Sequence, residues 1–204
     1  MEQNRQYQQM LEAAKEKLAG MAPGAIARAA GFSWDGSVFA FESLGASFQL
    51  RWPDLDMTPM PDMWHRLIVL QYMAYARDIP LTGRYVSLSD FREGGLARGS
   101  SFDRENDRML RIIGIQDALT IQKAAAALGG IQIPGKSDLS IRFPFLPKFP
   151  MVLNLWLEDE EFPASGKVLL DAASEHFLQV EAAGTATGIL LARLNQAIQT
   201  LITS

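Results

Sequence analysis

Glu158-Asp159-Glu160-Glu161 is the densest run of carboxylates in the chain, and Asp171 and His176 follow it closely. Carboxylate oxygens are hard ligands, and magnesium or calcium is held by several of them at once. Successive residues of an extended chain point to opposite faces, so at most two of these four side chains converge locally. The metal set this suggests is Asp159 and Glu161, completed by Asp171, with His176 as a further candidate. The alternative is a solvated acidic turn that keeps a strand end from pairing further. His176 lies between Glu175 and Phe177, and there it can act as a general base or a pH-sensitive contact.

A second stretch, Pro80-Leu-Thr-Gly-Arg-Tyr-Val-Ser, offers hydrogen-bonding side chains at Thr82, Arg84, Tyr85 and Ser87. A guanidinium at Arg84 can clamp an anion through paired donors. In the alternative, Gly83 serves a tight turn and Tyr85 and Val86 simply pack. Both stretches depart from core periodicity, as functional or strained segments do. The expected small-molecule site is therefore the junction of the Pro80–Ser87 loop with the turn Glu158–Pro163. Thr82, Arg84, Tyr85, Trp156, Asp159, Glu160, Glu161 and His176 are its binding residues. Trp156, Tyr85 and Phe162 supply the flat apolar walls that ligand pockets favour.

Gly130-Ile-Gln-Ile-Pro-Gly-Lys-Ser fits the phosphate-loop pattern letter for letter. That loop works only between a strand and a helix, where backbone amides and a helix N-terminus face the phosphates. Here an alanine-rich helix precedes it and an alternating strand follows, so a helix-to-strand turn is expected and Lys136 binds no ATP. His65 sits in an apolar helix beside Trp64, as a structural residue or at a helix edge. Neither a Gly-x-Ser-x-Gly nucleophile motif nor a His-Glu-x-x-His zinc motif occurs.

The elements that must position these residues follow from patterning. Of the 204 residues, 48% are hydrophobic, enough for a full core without a staple. The formal net charge of −4 argues against nucleic acid as a partner. The absence of cysteine excludes disulfides and any cysteine-ligated iron–sulfur cluster, and it suits a reducing compartment. With a polar N-terminus and no run of about 20 apolar residues, the expectation is a cytoplasmic protein with no membrane partner.

Gln3 to Leu18 has Tyr7, Met10, Leu11, Ala14 and Leu18 at helical spacing, so residues 1–20 are expected as a peripheral N-terminal helix. Pro23 opens a short helix that Gly31 closes. Ser37 to Phe41 and Phe48 to Trp52 read as strands joined by a turn at Ser43-Leu-Gly-Ala, with Pro53 ending the second. Met57 to Pro61 reads as a proline-rich connection. Pro61 to about Ala76 is the strongest central helix. Gly94-Gly95 and Gly99 mark a mobile loop, and Ser100 or Ser101 caps a helix that Gly114 breaks. A helix follows from about Gln116 to Leu128. Leu139 to Phe145 and Met151 to Leu157 are strands whose short link makes them antiparallel neighbours. Leu139, Ile141, Phe143 and Phe145 are expected to share a core face with Leu153, Leu155 and Leu157. The last helix runs from about Thr185 to Leu201. Together these predict one α+β domain over residues 1–204, with an antiparallel sheet of about four strands covered by helices on one face.

Two stretches carry a resemblance. Pro80 to Gly83 with Tyr85 to Ser87, and Trp156 with Asp159 to Ser165 and Leu169 to Asp171, resemble the pattern of a family of uncharacterised anaerobe proteins catalogued only as a domain of unknown function. The likeness covers roughly Ala22 to Leu194. Relatives that look cysteine-rich and lie near corrinoid or redox proteins suggest cluster chemistry, which a chain without cysteine does not share. Two functional classes follow. One is a non-enzymatic cofactor- or partner-binding accessory protein of anaerobic metabolism. The other is a divalent-cation-dependent enzyme using the Glu158–Glu161 acidic cluster. Neither the ligand nor the oligomeric state is legible.

Overall fold

Leu139, Ile141, Phe143 and Phe145 alternate with Ser140, Arg142 and Pro144, and that period of two builds the centre of the fold. In a computed structural model of the chain, which describes residues 2–92 and 101–203, with side chains for 5–92 and 104–203, this stretch is strand β7 of an antiparallel hairpin. Among the described residues there are six helices and nine strands. The helices are α1 (Glu2–Ala19), α2 (Pro23–Ala30), α3 (Met63–Tyr75), α4 (Ser101–Gly114), α5 (Ala118–Ala127) and α6 (Val180–Ile202). The strands are β1 (Ser33–Trp34), β2 (Val38–Ser43), β3 (Ala46–Arg51), β4 (Asp56–Thr58), β5 (Tyr85–Val86), β6 (Ile131–Gln132), β7 (Leu139–Leu146), β8 (Phe149–Trp156) and β9 (Ser165–Asp171).

All strand pairs are antiparallel. One sheet has the order β1-β2-β3-β4 and the other β5-β9-β8-β7-β6. The fold is α+β as predicted, with more strands than predicted. Four of them, β1, β4, β5 and β6, are two or three residues long, too short to show a period. The core face is also as predicted: Leu139 pairs with Leu155, Ile141 with Leu153 and Phe143 with Met151, all buried. Leu157, expected on that face, lies past the strand end and packs half-buried against the core.

The two sheets meet where β2 turns into β3. Leu44 and Gly45 both have positive φ, the mark of a two-residue type I′ turn. The Leu44 amide donates to the Pro144 carbonyl at 3.1 Å, and the Ser43 hydroxyl donates to the Phe145 carbonyl at 2.6 Å. A Cβ on Gly45 would stand 2.7 Å from the Ala127 carbonyl oxygen, so only glycine fits there. His65 of α3 closes the joint. Because the Ser43 hydrogen is spent on Phe145, the His65 Nε2–H must donate to Ser43 Oγ, at 2.8 Å, which leaves Nδ1 buried without a partner. Burial drives the His65 pKa down to about 4, so the ring is neutral.

Helices α4 and α5 pack on the second sheet, and α6 packs on both of them. Helix α3 lies between α6 and α1 and touches each. Tyr7, Leu11, Ala14 and Leu18 are the buried stripe of α1, and Tyr7 meets Trp64 edge-on at 5.7 Å. Asp62 caps α3 by accepting from the His65 amide at 3.0 Å. Helix α6 starts at Val180 rather than Thr185. The expected mobile loop at Gly94–Gly99 and the Ser100 cap lie outside the described residues.

Candidate functional site

Asp171 ends β9 and is 1% exposed. A buried carboxylate must find donors, and this one finds four. Its Oδ1 accepts from the Thr82 amide, the Thr82 hydroxyl and the Ala173 amide, at 3.0, 2.9 and 2.8 Å. Its Oδ2 accepts from the Gly83 amide at 2.7 Å. Burial works against the charge, but these donors outweigh it and hold the carboxyl below its usual range. The Arg84 carbonyl adds a bond from the Ala172 amide, and Tyr85 pairs with Asp171 in the sheet. The Pro80–Ser87 loop is thus pinned to the end of β9 by one side chain. Asp171 is almost wholly buried among these donors, and the Arg84 side chain is exposed.

The acidic turn stands at the other end of the same strand. Trp156, which precedes it, pairs with Ser165, so β9 separates it from Asp171 by about 20 Å at about 3.3 Å per residue. Asp159 Oδ1 accepts from the Glu161 and Phe162 amides at 2.8 and 2.7 Å, closing its own turn. Glu158, Glu160 and Glu161 are exposed. Two expectations are corrected here. Arg84 and the Glu158–Glu161 carboxylates do not meet, because β9 runs between them. The metal set Asp159, Glu161 and Asp171 is split by the same strand, and no group of three or more metal-capable side chains gathers among the described residues. Trp156 is exposed at the acidic end, with the Lys167 ammonium 5.8 Å from its ring centroid. Thr82, Arg84 and Tyr85 stay together at the Asp171 end. Gly130–Ser137 is the expected turn, running through β6 into β7, and Lys136 is exposed.

His176 belongs to neither end. It lies in a short 3-10 turn, Ser174–His176, with Nε2 3.8 Å from a Glu175 oxygen. It lines a polar recess of about 360 Å³ together with Tyr75, Arg77, Arg92, Glu175 and Gln179. Arg92 approaches Glu175 at 3.9 Å.

A larger concavity than the His176 recess lies elsewhere, at residues that patterning assigns to packing. A trough of about 860 Å³ runs over α3 between α1 and α6. Its floor is Trp64, Leu67, Ile68, Gln71 and Tyr75, a stripe at helical spacing. Helix α6 contributes Ala182, Thr185, Gly188, Ile189 and Ala192, and α1 contributes Gln6, Met10, Ala13 and Ala14. The trough exists because the α6 face is made of small residues, which leave the space that leucines would fill. Asp62 and Arg193, paired at 2.9 Å, lie at one end, where α3 begins. Tyr75 and Gln179 lie at the other and also line the His176 recess, so the two cavities adjoin. The sequence signal that could have found it is the second, small-residue stripe of α6, opposite its Leu190, Leu194 and Ile198 core stripe.

Among the described residues, no helix is long and apolar enough to cross a membrane. A family model described as domain of unknown function (DUF3786) matches residues 22–193. No curated protein and no solved structure matches the chain.

Proposed function

The chain belongs to the DUF3786 family, and from that premise we propose that it is a non-catalytic binding protein that holds an elongated, largely apolar small molecule in the α1–α3–α6 trough. The observation that carries this reading is the trough itself. Its volume of about 860 Å³ falls in the range of small-molecule sites, and most of its wall surface is apolar. Leu67, Ile68 and Ile189 supply the apolar wall, Trp64 and Tyr75 the flat aromatic surfaces, and Gln71, with Gln6 and Thr185, hydrogen-bonding side chains along it. Binding there needs no chemistry from the protein. The motif residues support the same reading indirectly. Asp171, Thr82 and Gly83 satisfy one another, and Asp159 satisfies its own turn, so neither motif offers groups poised for a reaction.

The test uses Nile red, a neutral apolar dye whose fluorescence rises in apolar surroundings, and dodecanol as its competitor. The full chain is expected to bind the dye and release it to dodecanol. Ala192→Trp, at an exposed wall position, is expected to weaken binding about tenfold or more, about 1.4 kcal/mol, at an unchanged unfolding midpoint. Absence of dye binding, or binding that Ala192→Trp leaves untouched, overturns the proposal.

A further inference from the structure

The trough's two ends differ in charge, and on the reading that it binds a ligand, we infer that the ligand has an anionic head held at the Tyr75 end. At the far end Asp62 and Arg193 neutralise each other at 2.9 Å, and Asp62 also caps α3. That end has no charge to spare. At the Tyr75 end cations are in excess. The Lys17 ammonium sits 3.4 Å from the ring centroid of Tyr75, a cation–π contact on a residue that lines both cavities. Arg77 lines the adjoining recess, and among the described residues its side chain has no ion-pair partner. Arg92 shares that recess and approaches the Glu175 carboxylate at 3.9 Å. Glu181, on the first turn of α6, is the other carboxylate nearby.

Proximity of like charges supports the same picture. Lys17 is pulled below the usual lysine range, first by desolvation and then by the charge of Arg77. Two cations within reach of each other are a strained arrangement that an anion relieves. The start of α6 faces the same place. Gln179 is its N-cap, makes no side-chain capping bond, and lines both cavities. The exposed amide ends of a helix favour negative charge. An apolar chain along α3 with its head between Lys17 and Arg77 would therefore match wall and charge together. A carboxylate and a phosphate ester share this head chemistry.

The experiment titrates the full chain by calorimetry with dodecanol, dodecanoate and dodecyl phosphate at low salt. Dodecanoate or dodecyl phosphate is expected to bind about tenfold tighter than dodecanol, and the tighter of the two names the head. The preference is expected to shrink in higher salt, as an interaction of exposed charges does. The double substitution Lys17→Gln and Arg77→Gln, both at exposed positions, is expected to abolish the preference while leaving dodecanol affinity unchanged. Thermal unfolding of the variant checks that it is folded, and the single substitution Arg77→Gln gives the intermediate case. Equal binding of all three ligands overturns the anionic head and leaves the trough intact. A preference abolished by Arg193→Gln but not by the double substitution places the head at the wrong end and also overturns the inference. Failure of all three to bind overturns the trough as well.

Discussion

The Asp171 junction and the α1–α3–α6 trough are the two most distinctive places in this molecule, and they are opposites. At the junction, a buried carboxylate is matched by four donors from Thr82, Gly83 and Ala173. In the trough, aliphatic and aromatic side chains surround a volume of about 860 Å³ that the protein does not fill. The junction contains the residues that look chemical in a sequence, and their chemistry is consumed internally. The trough contains residues that look like packing, and its packing is incomplete. Full satisfaction marks a structural device, whereas an unfilled apolar concavity with excess charge at one end marks a place for a ligand.

The largest expected effect breaks the junction. Asp171→Ala removes the shared acceptor and is expected to cost about 3 kcal/mol, since the stranded amide of buried Ala173 costs about 1–3 kcal/mol and the part-buried Thr82 and Gly83 bonds add to it. Denaturant unfolding measures it. A cost below about 1 kcal/mol would show that water replaces the carboxylate and that the junction is no pin.

A comparable effect is expected on acidification. His65 has a folded pKa of about 4, below its ordinary 6.5. The unfolded chain therefore takes up a proton first as pH falls. Stability is intact above pH 6.5, declines between 6.5 and about 4, and levels off below, with a total loss of about 3 kcal/mol at about 1.4 kcal/mol per pKa unit. Asp171, held below its usual carboxylate value, adds a loss at more acid pH. His65→Gln should flatten the upper part of the curve. An unchanged slope there would place the titrating group elsewhere.

How far these regions were legible in the sequence differs for the same physical reason. Strands β7 and β8 were readable because Leu139, Ile141 and Phe143 alternate and face Leu155, Leu153 and Met151. Period two is local information. The importance of Pro80–Gly83 and Asp171 was visible as motif, but their meeting depends on the β5–β9 pairing, which two-residue β5 does not announce. Expecting Arg84 beside Glu158–Glu161 ignores the length of β9, which no pattern in Ser165–Asp171 announces as a strand. The trough was least legible. Ala182, Thr185, Gly188 and Ala192 are informative only once it is known that α1 and α3 face them without filling the gap.

Smaller effects sharpen the contrast. Gln71→Leu, within the trough, is expected to change stability by no more than about 0.5 kcal/mol, because Gln71 is half-exposed and makes no hydrogen bond that the fold depends on. A large loss would make the trough part of the core. Lys136→Ala is expected to be silent in both stability and nucleotide titration, since Lys136 is exposed on a turn followed by a strand. ATP binding that disappears in this variant would show that the letters of Gly130–Ser137 describe a real phosphate loop.

The most direct measurement is amide chemical-shift mapping of the full chain titrated with dodecanol. The predicted result is saturable shifts at Gln71, Thr185 and Gly188, with Thr82, Gly83 and Ala173 unmoved. Shifts confined to Thr82, Gly83 and Ala173, or no saturable shifts at the trough, would contradict the account.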